Sequence, residues 1–209
     1  MATSLTYRGL EARSARNLAR VRSVIDLSRQ IGLSRPGGLD GDPSEVLRAA
    51  VVFLHASLED FLRTLTILRL PFATADFFSN RAFAGKTETK LSSIGELVTY
   101  RGKTVDEVLR ESTETFLKKS NDNEVKEVTH LFATLGLNND MLVKPHANLL
   151  ESLMKRRHNI VHRFDEEATD NREVHHVAPI GRPTVESWIE SVQTFIKGVI
   201  DHCIETGNA

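Results

Sequence analysis

The residues best equipped for chemistry are crowded into one stretch, Lys155-Arg156-Arg157-His158-Asn159-Ile160-Val161-His162-Arg163. A guanidinium offers a planar fork of donors suited to phosphate oxygens. An imidazole, with an ordinary pKa of about 6.5, can accept or donate a proton near neutrality. His158 and His162 are four residues apart, so on a helix they are neighbours on one face, with Arg157 one further residue back. Together these groups can grip a phosphate and move protons beside it.

Rival chemistries are poorly supported. A helical histidine pair can ligate zinc, but the zinc-peptidase pattern H-E-x-x-H needs glutamate where this chain has Asn159, and no acidic third ligand has a recognisable spacing. No metal and no cofactor is therefore expected. His175-His176 falls in a polar stretch where adjacent residues on an extended chain face opposite ways. There is no G-x-x-x-x-G-K-[ST], no G-x-G-x-x-G and no G-x-S-x-G.

The bulk composition sets limits. A chain of 209 residues is long enough for one large domain whose core needs no covalent staples. A net charge of -1 and a pI near 6.7 mean that any affinity for nucleic acid must come from a local patch. The single cysteine, Cys203, excludes an intrachain disulfide and a cysteine-based zinc site, and suits a reducing compartment. Residues 1–20 are arginine-rich without an apolar core, unlike a secretory signal, and no run approaches a membrane span. The expectation is a cytoplasmic protein with no membrane partner.

The elements that must position the cluster are helical throughout. Leu5 to Ile31 is moderately amphipathic, and Gly32 to Pro43 is a turn-rich connector. Asp42-Pro43-Ser44-Glu45 opens the most apolar helix, ending near Leu70 before Pro71, which is expected to be the central core element. Phe72 to Gly85 is expected to be irregular or a short helix over the core, with another short helix around Ile94 to Tyr100. Thr104-Val105-Asp106-Glu107 carries an N-cap and acidic first turn for a helix to about Lys119. Asp122 to Leu135 is the next, stopped by Gly136. A loop, Leu137 to Pro145, precedes the cluster helix, His146 to Phe164. A polar stretch, Asp165 to Pro183, leads to the last helix, Thr184 to about Ile204. The acidic run Asp165-Glu166-Glu167 reads as a solvated helix end. The fold class is all-α, with residues 1–40 as an N-terminal helix and linker and 41–206 as the main helical domain.

Projected at about 100° per residue, Leu149, Leu150, Leu153, Met154, Ile160, Val161 and Phe164 share one arc, with Arg157 near its middle. A guanidinium there needs a carboxylate, a carbonyl cage or a ligand phosphate. The plain alternatives are that Arg157 snorkels to the helix edge or pairs with a buried acid such as Glu59.

Arg157-His158-Asn159-Ile160-Val161-His162 matches R-x(4–6)-H near the end of a long helix, and in this the chain resembles the HEPN superfamily. Arg156 to Arg163, Ala49 to Leu65, Arg101 to Leu117 and the tryptophan-bearing stretch Thr184 to Ile196 resemble the RiboL-PSP-HEPN branch in particular. The resemblance spans about residues 40 to 205.

The resemblance implies a HEPN-type helical bundle with extra helices, paired as a two-fold homodimer. It further implies metal-independent endoribonuclease activity at a cleft shared by both subunits, and in many members a toxin or antiphage-defence role with an antitoxin or defence-system partner. In that scheme Arg157 and His162 are the essential catalytic pair, and His158 orients His162 or contacts the phosphate. Lys155, Arg156, Asn159 and Arg163 contact the RNA. The alternative is a catalytically inactive HEPN module that binds RNA, a nucleotide or a protein partner.

Overall fold

Local sequence accounts for most helix ends. The computed structural model describes residues 6–33, 42–79, 94–118, 124–166 and 177–206. Helix α1 spans Tyr7–Leu33, and α2 spans Pro43–Arg69. Asp42 caps α2 by accepting from the Ser44 N–H at 2.8 Å, with Pro43 in the first turn where its missing N–H is harmless. A single 3-10 turn, Leu70–Phe72, and the short α3, Ala75–Ser79, follow. Phe77 of α3 is buried; Phe83 lies outside the described residues. Ile94–Tyr100 is a 3-10 helix, where a short helix is expected.

Helix α4, Val105–Leu117, opens with a reciprocal capping box: Thr104 Oγ1 accepts from the Glu107 N–H, and the Glu107 carboxylate accepts from the Thr104 N–H. Helix α5, Val125–Thr134, ends before Gly136, whose φ of +69° is the left-handed conformation that glycine adopts without steric cost. The stretch expected as a loop instead holds α6, Asn139–Leu142, and a 3-10 turn, Lys144–His146. Asn138 caps α6 by accepting from the Met141 N–H. Helices α7, Ala147–Arg163, and α8, Arg182–Glu205, complete the chain. Among the described residues the only β pairing is an isolated antiparallel bridge, Glu166 to Val177.

Helix α2 is central, as its apolar sequence requires: it packs on α1, α4, α7 and α8. Ala50, Val51, Leu54, Phe61, Leu62 and Leu65 are fully sealed from solvent. Phe61 meets Phe195 of α8 edge-on at 6.1 Å between centroids, and Phe132 of α5 stacks on the same ring at 5.7 Å. Helix α1 contributes Tyr7, Leu10, Leu18, Val21 and Ile25 to this one core and touches both α2 and α8. The N-terminal helix thus packs as part of the bundle. Cys203 is buried within it, and burial raises its thiol pKa, as suits a packing residue.

Candidate functional site

Helix α7 is anchored by Leu150, Leu153 and Met154, which are buried, and by Ile160, which is partly so. The expected apolar arc is only half realised. Leu149 and Val161 are 41% and 44% exposed and Phe164 is 84% exposed, so these three do not join the core. Periodicity identified the arc but not where the bundle stops covering it.

The motif residues divide between two surroundings. His158 and His162 are exposed, and their rings lie 4.7 Å apart between centroids, tilted at 47°. His162 and Arg163 occupy the last turn, where cationic side chains complement the helix dipole. Arg157 is half-buried. Its charge is felt by His55, a fully buried histidine of α2. Desolvation first, and the Arg157 charge second, push the His55 pKa down to about 4. His55 is therefore neutral near pH 7, and its Nδ1 lies 3.9 Å from Glu59 Oε1, beyond hydrogen-bond reach. The α2–α7 seam beside the motif thus carries His55, Glu59 and Arg157, polar groups inside an apolar contact.

Directly after the motif the chain reverses through two left-handed residues, Phe164 (φ 51°) and Asp165 (φ 62°). Each such residue costs about 1–2 kcal/mol for a side chain other than glycine. The sequence suggests that Asp165 ends α7 in solvent; it is instead 1% exposed. Its Oδ2 accepts from Arg48 Nε at 2.8 Å and from Arg156 Nη2 at 2.7 Å. Both guanidiniums also donate to the Ala178 carbonyl, at 2.9 and 2.8 Å, and Arg156 reaches the Pro179 carbonyl at 3.1 Å. The Asp165 N–H donates to the Asn159 carbonyl, and its own carbonyl accepts from the Ala178 N–H at 2.8 Å. One carboxylate thereby joins α2, the end of α7 and the approach to α8.

Of the residues expected to contact RNA, Lys155 and Arg163 are exposed, Asn159 is half-buried, and Arg156 has its Nη2 engaged in this clamp. Sequence reasoning missed Arg48. The available signal was an arginine beside Leu47 and Val51 in the most apolar helix, which demands a buried acid. His175 and His176 lie outside the described residues.

Two grooves flank α7. One, about 700 Å³, runs between α5 and α7 and is lined by Val125, Thr129, Glu151, Met154, Lys155 and His158 among others. The other, about 600 Å³, lies between α7 and α8 and includes Glu151, Lys155, Asn159 and Trp188. Lys155 stands on the ridge between them. A further cavity of about 380 Å³ between α1 and α2 contains none of the motif residues. Among the described residues no group of three or more His, Cys, Asp or Glu could hold a metal ion, and no helix is long and apolar enough to cross a membrane.

An all-α bundle whose long α7 carries R-x(4)-H at its exposed end is the architecture of a HEPN-type domain. The RiboL-PSP-HEPN family model matches residues 15–205, nearly the whole chain, and the protein belongs to that family. Neither the curated proteins nor the solved structures contain a match to this chain.

Proposed function

We propose that this protein is a metal-independent RNA endonuclease that works as a symmetric homodimer. The observation that carries this reading is the exposed His158–His162 pair, one and five residues after Arg157 in the last turns of α7, in a chain of the RiboL-PSP-HEPN family. RNA needs no metal to be cut when its own 2′-hydroxyl attacks the adjacent phosphorus. The new P–O2′ bond forms as the P–O5′ bond breaks, leaving a 2′,3′-cyclic phosphate and a 5′-hydroxyl. The reaction calls for a base to take the 2′ proton, an acid to protonate the departing 5′ oxygen, and a cation for the phosphorane.

Two His162 side chains, one from each protomer, supply base and acid. Arg157 stabilises charge on the phosphate, and His158 orients His162 or touches the same phosphate. Lys155, Asn159 and Arg163 hold the RNA backbone. Arg156 acts through Asp165, positioning the end of α7. Growth arrest on expression, relieved by a neighbouring gene product, would place the activity in a toxin or defence system.

The test is cleavage of single-stranded RNA in EDTA by wild type, Arg157→Ala and His162→Ala, with the product ends identified. Cyclic phosphate ends that vanish with His162→Ala support the mechanism. Undiminished cutting by that variant removes His162 from it, and loss of wild-type cutting in chelator favours a metal site.

A second reading has its own support. Arg156 is committed to the clamp, and Arg157 is half-buried, its charge felt by the buried His55 of α2. A HEPN module that binds RNA, a nucleotide or a protein partner without turnover would keep both. Binding without products at high protein concentration and long times identifies it.

A further inference from the structure

Phe164 is the most exposed large apolar side chain among the described residues, at 84%. Its backbone sits in the left-handed region, disfavoured for a bulky side chain, and so does that of Asp165. Such a conformation persists only where the surroundings fix it. Here they do: Asp165 is drawn inward between Arg48 and Arg156 and pinned by its backbone bonds to Asn159 and Ala178. A buried, doubly bonded carboxylate at one position thus holds a phenyl ring in water at the position before it. The ring has no packing role in the bundle that would account for this arrangement.

Its neighbours indicate what it meets. Val161 is the other exposed apolar side chain on this end of α7, and the remaining exposed groups of the last two turns are His158, His162 and Arg163. The two residues that follow Phe164 are acidic: Asp165, whose carboxylate is bonded by two arginines, and Glu166. By themselves a phenyl ring and one valine supply far less than the roughly 800 Å² per partner of a stable protein contact. They do match the face of a single base, and the cationic groups beside them match the phosphate joined to it. The Cα atoms of His162 and Phe164 are at most about 7 Å apart, within one nucleotide step of a strand held at His162.

We propose that Phe164 is a stacking platform for an unpaired base of single-stranded RNA next to the phosphate held by Arg157 and His162, set in place by the Asp165 clamp. The inference rests on the RNA-directed reading above. Because any base has a π face, the platform adds affinity and register with little sequence preference.

The experiment uses the full chain and a 2′-O-methyl oligoribonucleotide carrying the fluorescent base 2-aminopurine, which lacks the attacking hydroxyl and stays intact. Phe164→Ala and Phe164→Leu should bind about 5- to 150-fold more weakly than wild type, whereas Phe164→Trp should bind at least as well. Quenching of 2-aminopurine should appear with wild type and Phe164→Trp only. The salt dependence of binding should not change, because no charge is removed.

Binding of Phe164→Ala within about twofold of wild type, or wild-type behaviour of Phe164→Leu, overturns the proposal. So does a change in oligomeric state by light scattering with quenching unaltered, which would make the ring a protein contact, and so does a failure of wild type to bind the oligonucleotide. Cleavage in EDTA is read separately. Phe164-dependent quenching by a wild-type protein that cuts nothing sinks the nuclease reading and leaves the platform standing. Normal cutting and binding by Phe164→Ala sinks the platform alone.

Discussion

Arg48 and Asp165 are 117 residues apart in sequence, yet Arg48 Nε donates to Asp165 Oδ2 at 2.8 Å inside the bundle. The pair is the closure of the α2–α7 contact, and Arg156 makes it a triad. Removing the acid would take from the almost fully buried Arg48 its buried carboxylate, leaving it Glu45, Ser44 and the Ala178 carbonyl, and would leave Arg156 with backbone carbonyls. Asp165→Ala is expected to lower the unfolding free energy by about 3–5 kcal/mol in urea titrations, as for other broken buried ion pairs. A loss below about 1 kcal/mol would mean that the triad is replaced by water at little cost.

His55 makes stability depend on pH in a definite direction. Its folded pKa of about 4 lies below the ordinary value of 6.5, so between these limits the unfolded chain binds the extra proton. The stabilisation is complete above pH 6.5, shrinks as the pH falls, and levels off below about 4. Over that window the loss amounts to about 3 kcal/mol. Unfolding curves of wild type and His55→Leu, measured from pH 7.5 to 4.5, should converge on acidification as only wild type loses this term. Parallel curves would show that His55 is not held neutral by burial and the Arg157 charge.

The legible parts of the sequence were those governed by local rules. Asp42-Pro43, the Thr104 N-cap and Gly136 each end or begin a helix where the sequence places it. The apolar run of α2 announced the central element. Contacts that join distant segments were not legible: nothing near Asp165 in sequence indicates that Arg48 will reach it. Arg157 sits in an apolar stripe of the helix and is half-buried, while nothing in the sequence near His55 indicates that it will feel the Arg157 charge. Phe164 fits the helical period of α7 perfectly well, but the left-handed turn at its end throws it outward. Helical period reports which face is apolar, and only the three-dimensional bundle decides how much of that face is covered.

Two arginines of the cluster should separate cleanly in experiment. Arg163 is exposed in the last turn of α7, whereas Arg156 bonds Asp165 and two backbone carbonyls. Arg163→Ala should cost stability no more than the about 0.3–1 kcal/mol of its helix-dipole contribution and lower RNA affinity, reducing the slope of log affinity against log salt by about 1. Arg156→Ala should instead lower stability, with any loss of RNA affinity following the displaced turn. Equal salt-slope losses for both variants, with no change in stability for either, would make Arg156 a direct phosphate ligand.

A cleft built from two α7 helices has a stoichiometric consequence. If each protomer supplies one His162, and acid and base come from different subunits, a dimer with one His162→Ala chain has lost one of its two proton carriers. Equal amounts of wild type and variant, exchanged to equilibrium, give about a quarter wild-type dimers by random pairing. Activity should then fall to about a quarter of that of the same total amount of wild-type protein, because a missing acid or base costs about 10²–10⁴ in rate. A complete active site within each chain would instead leave about half. Activity measured against mixing ratio distinguishes the two, since the shared cleft follows the square of the wild-type fraction and the self-contained site follows it linearly. A linear dependence, with subunit exchange verified by a label on one chain, would exclude a mechanism that divides acid and base between protomers.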